Sequence, residues 1–230
     1  MGYTYLAINV FTIIIPLAWS FHPRYNFYKR WKSFIPAVLI TGFCFLLWDS
    51  WFTSMGVWGF NPEYITGLNI FNMPVEEVLF FLCIPYACVF TFHCLGILSE
   101  KSFSKSTEDI ITVILLLSLL ISAIIWRQKI YSLITFTSLS VVLMICRYVL
   151  NIQWLGRFYI TYSLLLLPFF IVDGILTGTG LEEAIVWYNE MGISGIRIAT
   201  IPVEDIFYGM ELILINILVW KKLDSIQLET

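Results

Sequence analysis

The sequence has little charge and almost no histidine. Charged residues make up 13% of the chain, whereas roughly a quarter of the residues in a soluble globular domain are charged. The mean hydropathy is +0.85. This composition excludes a soluble globular domain and shows no sign of a nucleic-acid partner. It predicts an all-α integral membrane protein whose surroundings are membrane lipid.

Residues that commonly hold metals, nucleotides or disulfides are also scarce. The two histidines, His22 and His93, are too few for a histidine-rich metal centre. The five cysteines lie inside apolar runs and form no Cys-x-x-Cys pair. Neither a Gly-x-Gly-x-x-Gly sequence nor a phosphate-binding loop is present. These absences argue against a redox role for cysteine and against a dinucleotide site.

What the chain has instead is long apolar runs. A helix needs about 20 apolar residues to cross a bilayer, and seven runs approach or exceed that length. They lie at 3–20, 34–53, 75–98, 108–126, 130–150, 158–176 and 203–220. Lysine and arginine are concentrated on one side of this seven-span arrangement. The positive-inside bias therefore predicts a cytoplasmic (inner) membrane protein with its N-terminus outside and its C-terminus in the cytoplasm.

One segment occurs twice. Laying 60–81 on 188–209 without a gap pairs identical residues at many positions, including a Pro-Val-Glu sequence at 74–76 and 202–204. Average composition would give only about one or two identities over such a length. An acidic residue follows the Pro-Val-Glu sequence in both copies. We therefore interpret the chain as a duplication.

The duplication divides the chain into two repeats, 1–99 and 130–230, each with three spans. Between them, 100–129 holds a hydrophilic boundary and a linker helix. The linker helix adds one crossing of the membrane to the three of the first repeat, so the second repeat begins on the same side of the membrane as the first. We therefore expect about seven transmembrane helices, arranged as two parallel three-helix repeats related by an axis along the membrane normal.

The repeated carboxylates are the candidate catalytic groups. Proline fits the first turn of a helix, and acidic residues are stabilised there by the helix dipole, so each copy also fits a simple helix start. Ionisable groups at a membrane span are costly, however, which favours a functional role. Successive helical residues point about 100° apart, so one acid of each pair should face inward. A further acid ends the preceding span in each half. The candidates are Glu76, Glu77, Glu204, Asp205, Asp49 and Asp173.

Aromatic and polar residues near these acids are candidate substrate contacts. Aromatic faces stabilise a carbocation without offering a nucleophile, so acids beside aromatic rings suit a proton-initiated cyclisation. The candidates are Asn61, Phe80, Asn189, Arg197, Tyr208 and Glu211. Arg197 stands at the place of Asn69, and Glu211 at that of Cys83. The two halves are therefore not equivalent, and we expect them to divide the acid and base roles.

The motifs resemble those of a known family. Trp58-Gly-Phe-Asn-Pro-Glu-Tyr-Ile-Thr-Gly67, the Pro-Val-Glu-acidic sequences and the residues around them are similar to the fused form of the non-flavin, membrane-integral lycopene β-cyclases. The resemblance implies two lycopene cyclase domains in tandem. It also implies an isomerase, or intramolecular lyase, that converts the linear ends of lycopene to β-rings and so forms γ-carotene and β-carotene in carotenoid biosynthesis.

The same resemblance implies that the chain uses no cofactor, neither metal nor flavin nor nucleotide, and that it takes lycopene as its lipid-soluble substrate. A second copy of the chain or other carotenoid enzymes are candidate partners. Two alternatives stay open. A carotenoid hydratase would trap the same cation with water, and a proton-coupled transporter with parallel repeats would use the carboxylates as a relay.

Overall fold

Helices dominate the computed structural model, which describes residues 2–99 and 101–229. Seven α-helices lie in this part of the chain, at the places that the apolar runs predict. They are α1 Thr4–Trp19, α2 Trp31–Ser54, α3 Val75–Leu98, α4 Lys105–Ile125, α5 Ile130–Met144, α6 Leu155–Leu176 and α7 Val203–Glu229. A π-helical segment, Ile145–Val149, continues α5, and 3₁₀ turns occur at Phe27–Arg30 and Pro62–Tyr64.

Five helical stretches are long and apolar enough to cross a membrane: Phe27–Ser54, Val75–Leu98, Lys105–Ile125, Ile130–Val149 and Leu155–Leu176. Helix α1 is apolar but has only 16 residues. Helix α7 is long, but its first three turns contain Glu204, Asp205 and Glu211. Length and composition thus support an all-α membrane protein. The count of seven spans stays a prediction.

Six short strands occur between the helices, and the sequence-based expectation of an all-α chain omitted them. They are β1 Trp58–Phe60, β2 Asn69–Ile70, β3 Met73–Pro74, β4 Val186–Tyr188, β5 Arg197–Ile198 and β6 Ile201–Pro202. β2 pairs with β3 and β5 with β6 as antiparallel hairpins. Backbone groups in a connecting segment need hydrogen-bond partners, and these small ladders provide them.

Strands β1 and β4 form an antiparallel pair that joins the two connecting segments. Trp58 lies opposite Tyr188, and Gly59 lies opposite Trp187. A Cβ atom at Gly59 would come within 2.3 Å of the Trp187 ring. The Trp187 ring therefore packs against the backbone of β1 at a position that has no side chain, and any larger residue there would displace the ring.

The two hairpins lead into α3 and α7 in the same way. The sequence pattern predicts Pro74 in the first turn of a helix. In the structure Pro74 ends β3 and is the N-cap of α3, one residue before the first helical position. Its extended conformation, with φ −61° and ψ 147°, explains this difference of one residue. Phe71 and Ala199, at the two hairpin turns, both adopt φ 55°. Each hairpin thus presents an acidic pair in the first turn of the following helix.

Helices α1 and α3, α4 and α5, α2 and α7, and α5 and α7 pack closely on each other. A large apolar core includes fully buried Val89, Leu139, Leu143, Leu214 and Ile217. In lipid, close packing and polar contacts between helices contribute more to association than apolar burial does. The arrangement leaves a space bounded by α1, α3, α6 and α7.

A buried ion pair connects α4 with the π-helical segment and with the start of α6. The Glu108 side chain is only 2% exposed and lies 3.2 Å from Nη1 of Arg147. Its Oε2 also accepts a hydrogen bond from the backbone N–H of Gly156 at 2.8 Å. Arg147 additionally contacts Asp109. A buried charge of this kind depends on its partner.

We predict that Arg147→Ala lowers the free energy of unfolding by about 2 kcal/mol, because it removes the nearer cation of the buried Glu108 carboxylate and leaves only Lys105, at 3.7 Å. Arg127→Ala is the matched control, since Arg127 is exposed. It should change the free energy of unfolding by about 0.5 kcal/mol or less. Thermal and denaturant unfolding in detergent micelles measure both, and equal losses would contradict the structural role of the pair.

Candidate functional site

An apolar cavity of about 540 Å³ lies between α1, α3, α6 and α7. Strands β1 and β4 contribute to its wall, as do single residues of α2 and α5. Four carboxyl groups line it: Asp49, Glu77, Asp173 and Asp205. Two of them belong to each half of the chain. A mostly apolar cavity with a few converging polar groups is typical of a small-molecule site.

Tyrosines from α1 and α5 hold the two motif acids. The Tyr5 hydroxyl donates to Oε2 of Glu77 at 2.5 Å, and the Tyr131 hydroxyl donates to Oδ1 of Asp205 at 2.6 Å. Both tyrosines are buried, and both lie in the first turn of their helix. The two halves therefore use the same contact, in which the first helix of a half positions the acid on its third helix.

The two acids that end α2 and α6 differ from each other. Tyr208 of α7 donates to Oδ1 of Asp49 at 2.6 Å, across the boundary between the halves. Within residues 2–99 and 101–229, the side chain of Asp173 accepts no hydrogen bond, and its Oδ2 is buried without a partner. The four carboxyl groups thus have unequal surroundings.

Tyr188 of β4 completes the polar part of the cavity, outside the spanning helices. Its ring is nearly parallel to that of Tyr131, with centroids 6.1 Å apart. Burial raises the pKa of Tyr188 well above its usual range, and the charges of Asp205 and Asp173 add to this shift. The phenol therefore stays neutral and able to donate a proton or a hydrogen bond.

Aromatic rings surround these groups at contact distance. Tyr208 meets Trp48 and Phe45 edge to face, with centroids 5.4 and 5.3 Å away. Tyr131 meets Trp58 in the same way at 5.0 Å. Trp58 and Phe80 line the cavity, whereas Trp48 and Phe45 lie outside its lining. Aromatic faces attract cations, so the rings of the lining favour a positively charged intermediate that carries no hydrogen-bonding group.

The other member of each motif pair lies behind the cavity wall. Glu76 accepts the backbone N–H of Thr66 at 2.7 Å, and Glu204 accepts that of Ser194 at 2.6 Å. Ser132 also contacts Glu204. Glu76 and Glu204 are fully buried. Each of these two carboxylates links the segment before a hairpin to the helix after that hairpin. The acid that follows each of them in the sequence lines the cavity. A catalytic role for Glu76 and Glu204 stays a prediction.

The two candidate asparagines lie in the loops and outside the cavity lining. Asn61 caps the turn Pro62–Tyr64 and donates to Glu183 at 2.9 Å. Asn189 donates to the backbone oxygen of Gly56 at 3.2 Å. Both asparagines also accept a backbone N–H two residues further on. Their geometry is that of side chains that shape turns, and their predicted contact with substrate is untested.

Arg197 and Glu211 also lie outside the cavity lining. Arg197 pairs with Glu190 at 2.7 Å and donates to the backbone oxygen of Thr200. Glu211 is buried and accepts from Ser138 at 2.7 Å. Of the candidate substrate contacts, only Phe80 and Tyr208 line the cavity. Substrate contacts for the other four stay predictions.

Sequence reasoning missed the tyrosines Tyr5 and Tyr131. A signal for both was available. Extending the repeat upstream pairs the start of α1 with the start of α5, where Tyr5 matches Tyr131, Ile8 matches Ile134, and polar residues follow at equivalent places. Small differences in loop length hid this match, because the register changes between the first, second and third helices of each half.

The cavity has an apolar border between α1 and α6. Phe11 and Ile15 of α1 and Pro168 and Ile171 of α6 line it and are exposed on the outside of the protein. Each of the two helices packs closely on α3, but they do not pack closely on each other. This border faces the region that lipid occupies around a membrane protein.

The helices and the cavity define a membrane protein with a carboxylate-containing apolar site, and comparison with known proteins gives its family. The family model described as lycopene cyclase matches residues 2–95 and 128–223. The chain therefore belongs to the lycopene cyclase family, which confirms the resemblance seen in the sequence. No solved structure matches the chain.

Two fungal relatives are similar to part of the chain. The bifunctional lycopene cyclase/phytoene synthase of Aspergillus oryzae is 30% identical over 93 residues, which is 37% of this chain and 15% of the relative. The protein of the same description from Aspergillus niger is 30% identical over 94 residues, or 39% and 15% of the two chains. The matched part thus covers only a small share of these relatives.

We predict that Glu76→Ala lowers the free energy of unfolding by about 1–3 kcal/mol, because the Thr66 N–H loses its acceptor. Glu76→Gln keeps an acceptor oxygen but removes the acid. If Glu76 only fastens the hairpin, Glu76→Gln retains both stability and activity; if Glu76 is catalytic, it retains stability alone. Thermal unfolding in micelles measures the stability of each variant, and an activity assay of Glu76→Gln separates the two cases. Glu63→Ala is the control, since its side chain is exposed.

Proposed function

We propose that the chain is a lycopene β-cyclase that forms β-rings at the linear ends of lycopene, giving γ-carotene and β-carotene. The observation that carries the proposal is the apolar, aromatic cavity with four carboxyl groups in a member of the lycopene cyclase family. Acid, base and cation-stabilising rings are what such a cyclisation needs, and all three line the same cavity.

The reaction balances without an oxidant or a reductant. A carboxyl group adds a proton to the terminal double bond of lycopene and leaves a tertiary carbocation. The second double bond along the chain attacks this cation, so that a carbon–carbon bond closes the ring and the charge moves to a ring carbon. A carboxylate then removes a proton from the neighbouring carbon, which forms the ring double bond. The product is an isomer of the substrate.

The cavity residues suit each stage of this reaction. Tyr5 and Tyr131 hold the carboxyl groups of Glu77 and Asp205 in fixed positions, and such preorganisation favours proton transfer. Rings such as Trp58 and Phe80 offer π-faces to the cation. The apolar lining also keeps out water, which would otherwise trap the cation as an alcohol.

The border between α1 and α6 is a suitable place for a lipid-dissolved substrate to enter the cavity from the bilayer. Lycopene is a hydrocarbon that dissolves in lipid and not in water. Its end can enter between the exposed apolar side chains of Phe11 and Ile171 while the remainder of the polyene stays in the membrane. This route requires neither a water-filled channel nor desolvation of a polar group.

We further propose that the chain consists of two parallel three-helix repeats joined by α4 and spans the membrane seven times. Support comes from the matching hairpins and from the matching contacts of Tyr5 with Glu77 and of Tyr131 with Asp205. The distribution of lysine and arginine supports an N-terminus outside and a C-terminus in the cytoplasm of a cytoplasmic membrane.

Expression in a lycopene-accumulating host tests the proposal. We expect the wild-type chain to convert lycopene into ring-containing carotenes. Glu77→Gln and Asp205→Asn should reduce conversion by about 10²-fold or more, the usual contribution of a general acid or base. Glu63→Gln, outside the cavity, is the matched control and should convert lycopene as the wild type does. Chromatography of extracted pigments measures all four.

Three results would contradict the cyclase proposal. Unchanged lycopene with a wild-type protein that is present in the membrane would exclude it. A hydroxylated acyclic product would favour a carotenoid hydratase. Proton-dependent uptake of a solute into vesicles, with no pigment change, would favour a transporter.

A further inference from the structure

Asp173 differs from the other cavity carboxyl groups in lacking a hydroxyl donor. Glu77, Asp205 and Asp49 each accept a hydrogen bond from a tyrosine, at 2.5 to 2.6 Å. Asp173 lines the same cavity. In the described part of the chain, however, its carboxyl group has no such partner. Its Oδ2 is buried and unpaired, as is the Oδ2 of Asp205, but Asp205 has a hydroxyl donor at its other oxygen. This difference between Asp173 and Asp49, its counterpart in the first half, is explained by one position of the repeat.

That position is occupied by Tyr208 in the second half and by Phe80 in the first. Tyr208 follows Asp205 by three residues, as Phe80 follows Glu77. The Tyr208 hydroxyl crosses from α7 to Asp49 of α2. Phe80 lines the cavity from α3 but has no hydroxyl to offer. The residue that would bind Asp173 if the halves were identical is thus a phenylalanine.

We propose that Asp173 is the catalytic acid that protonates the substrate, and that Phe80 is a positioning residue that keeps it a proton donor. This inference rests on the proposed cyclase function and assigns roles within that site. An ionised carboxylate in an apolar space needs hydrogen-bond donors, whereas a protonated carboxyl is neutral and has a donor of its own. The surroundings of Asp173 therefore favour its acid form.

The same reasoning assigns the base. A tyrosine hydroxyl stabilises the ionised form of the carboxyl that accepts it, so Glu77 and Asp205 are the candidate proton acceptors. Asp49 is not one of them, because its carboxyl group also hydrogen-bonds to that of Glu77, and such a pair holds a proton. In the first step the O–H bond of Asp173 breaks and its proton moves to the CH carbon of the terminal double bond, which leaves the positive charge on the carbon with two methyl groups. In the last step a ring carbon loses a proton to the carboxylate of Glu77 or Asp205. Return of a proton to Asp173 completes the cycle without any other reactant.

The experiment measures kcat and KM of the purified full-length chain with lycopene in liposomes. Asp173→Asn should lower kcat by about 10²-fold or more with little change in KM, and Asp173→Glu should recover part of that loss. Phe80→Tyr gives Asp173 a hydroxyl donor, so it should lower kcat about tenfold and increase the solvent deuterium isotope effect. A role in packing alone would not increase that isotope effect.

Phe207→Tyr is the matched control, because Phe207 adjoins Tyr208 in sequence and packs on Phe136 outside the cavity. Its kcat should stay at the wild-type value. Full kcat in Asp173→Asn would overturn the assignment, as would wild-type kinetics in Phe80→Tyr. If Phe80→Tyr fails to insert, Asp173→Asn and Asp173→Glu decide the question. A wild-type chain that leaves lycopene unchanged would instead overturn the cyclase function itself.

Discussion

The burial of carboxyl groups in an apolar membrane protein is the constraint on which the rest of this structure depends. A carboxylate in lipid is costly unless donors surround it. Glu76 and Glu204 meet this requirement with backbone N–H groups of the segments before the hairpins. Glu77 and Asp205 meet it with tyrosine hydroxyls. The hairpins, the helix starts and the first helix of each half are therefore arranged around these acids.

Two copies of one arrangement give a cavity in which the acids come from both halves. The contact between Tyr208 and Asp49 joins α7 to α2, and the strands β1 and β4 join the connecting segments. Neither half encloses the cavity alone. The two copies can differ at single positions, and Phe80, which stands where the second half has Tyr208, is a difference of this kind.

The sequence predicted the helices well, because apolar runs of transmembrane length are a strong signal. It also predicted that one acid of each motif pair faces inward, since the helical period allows nothing else. It missed the strands, whose two or three residues give no period, and the roles of Tyr5 and Tyr131, which depend on contacts between residues more than 70 positions apart. Asn61 and Asn189 match in the repeat, and each accepts a backbone N–H that shapes the turn in which it lies.

Such shared turn residues show why a duplication does not by itself identify a site. A repeated residue can serve either the fold or the chemistry, and of the two motif acids in each copy one lines the cavity while the other bonds to the backbone before the hairpin. Only the cavity separates them. Within it, the positions at which the halves differ are more informative than those at which they agree, because an acid and a base must have different surroundings. Phe80 with Tyr208, and Phe60 with Tyr188, are two such positions in the lining of the cavity.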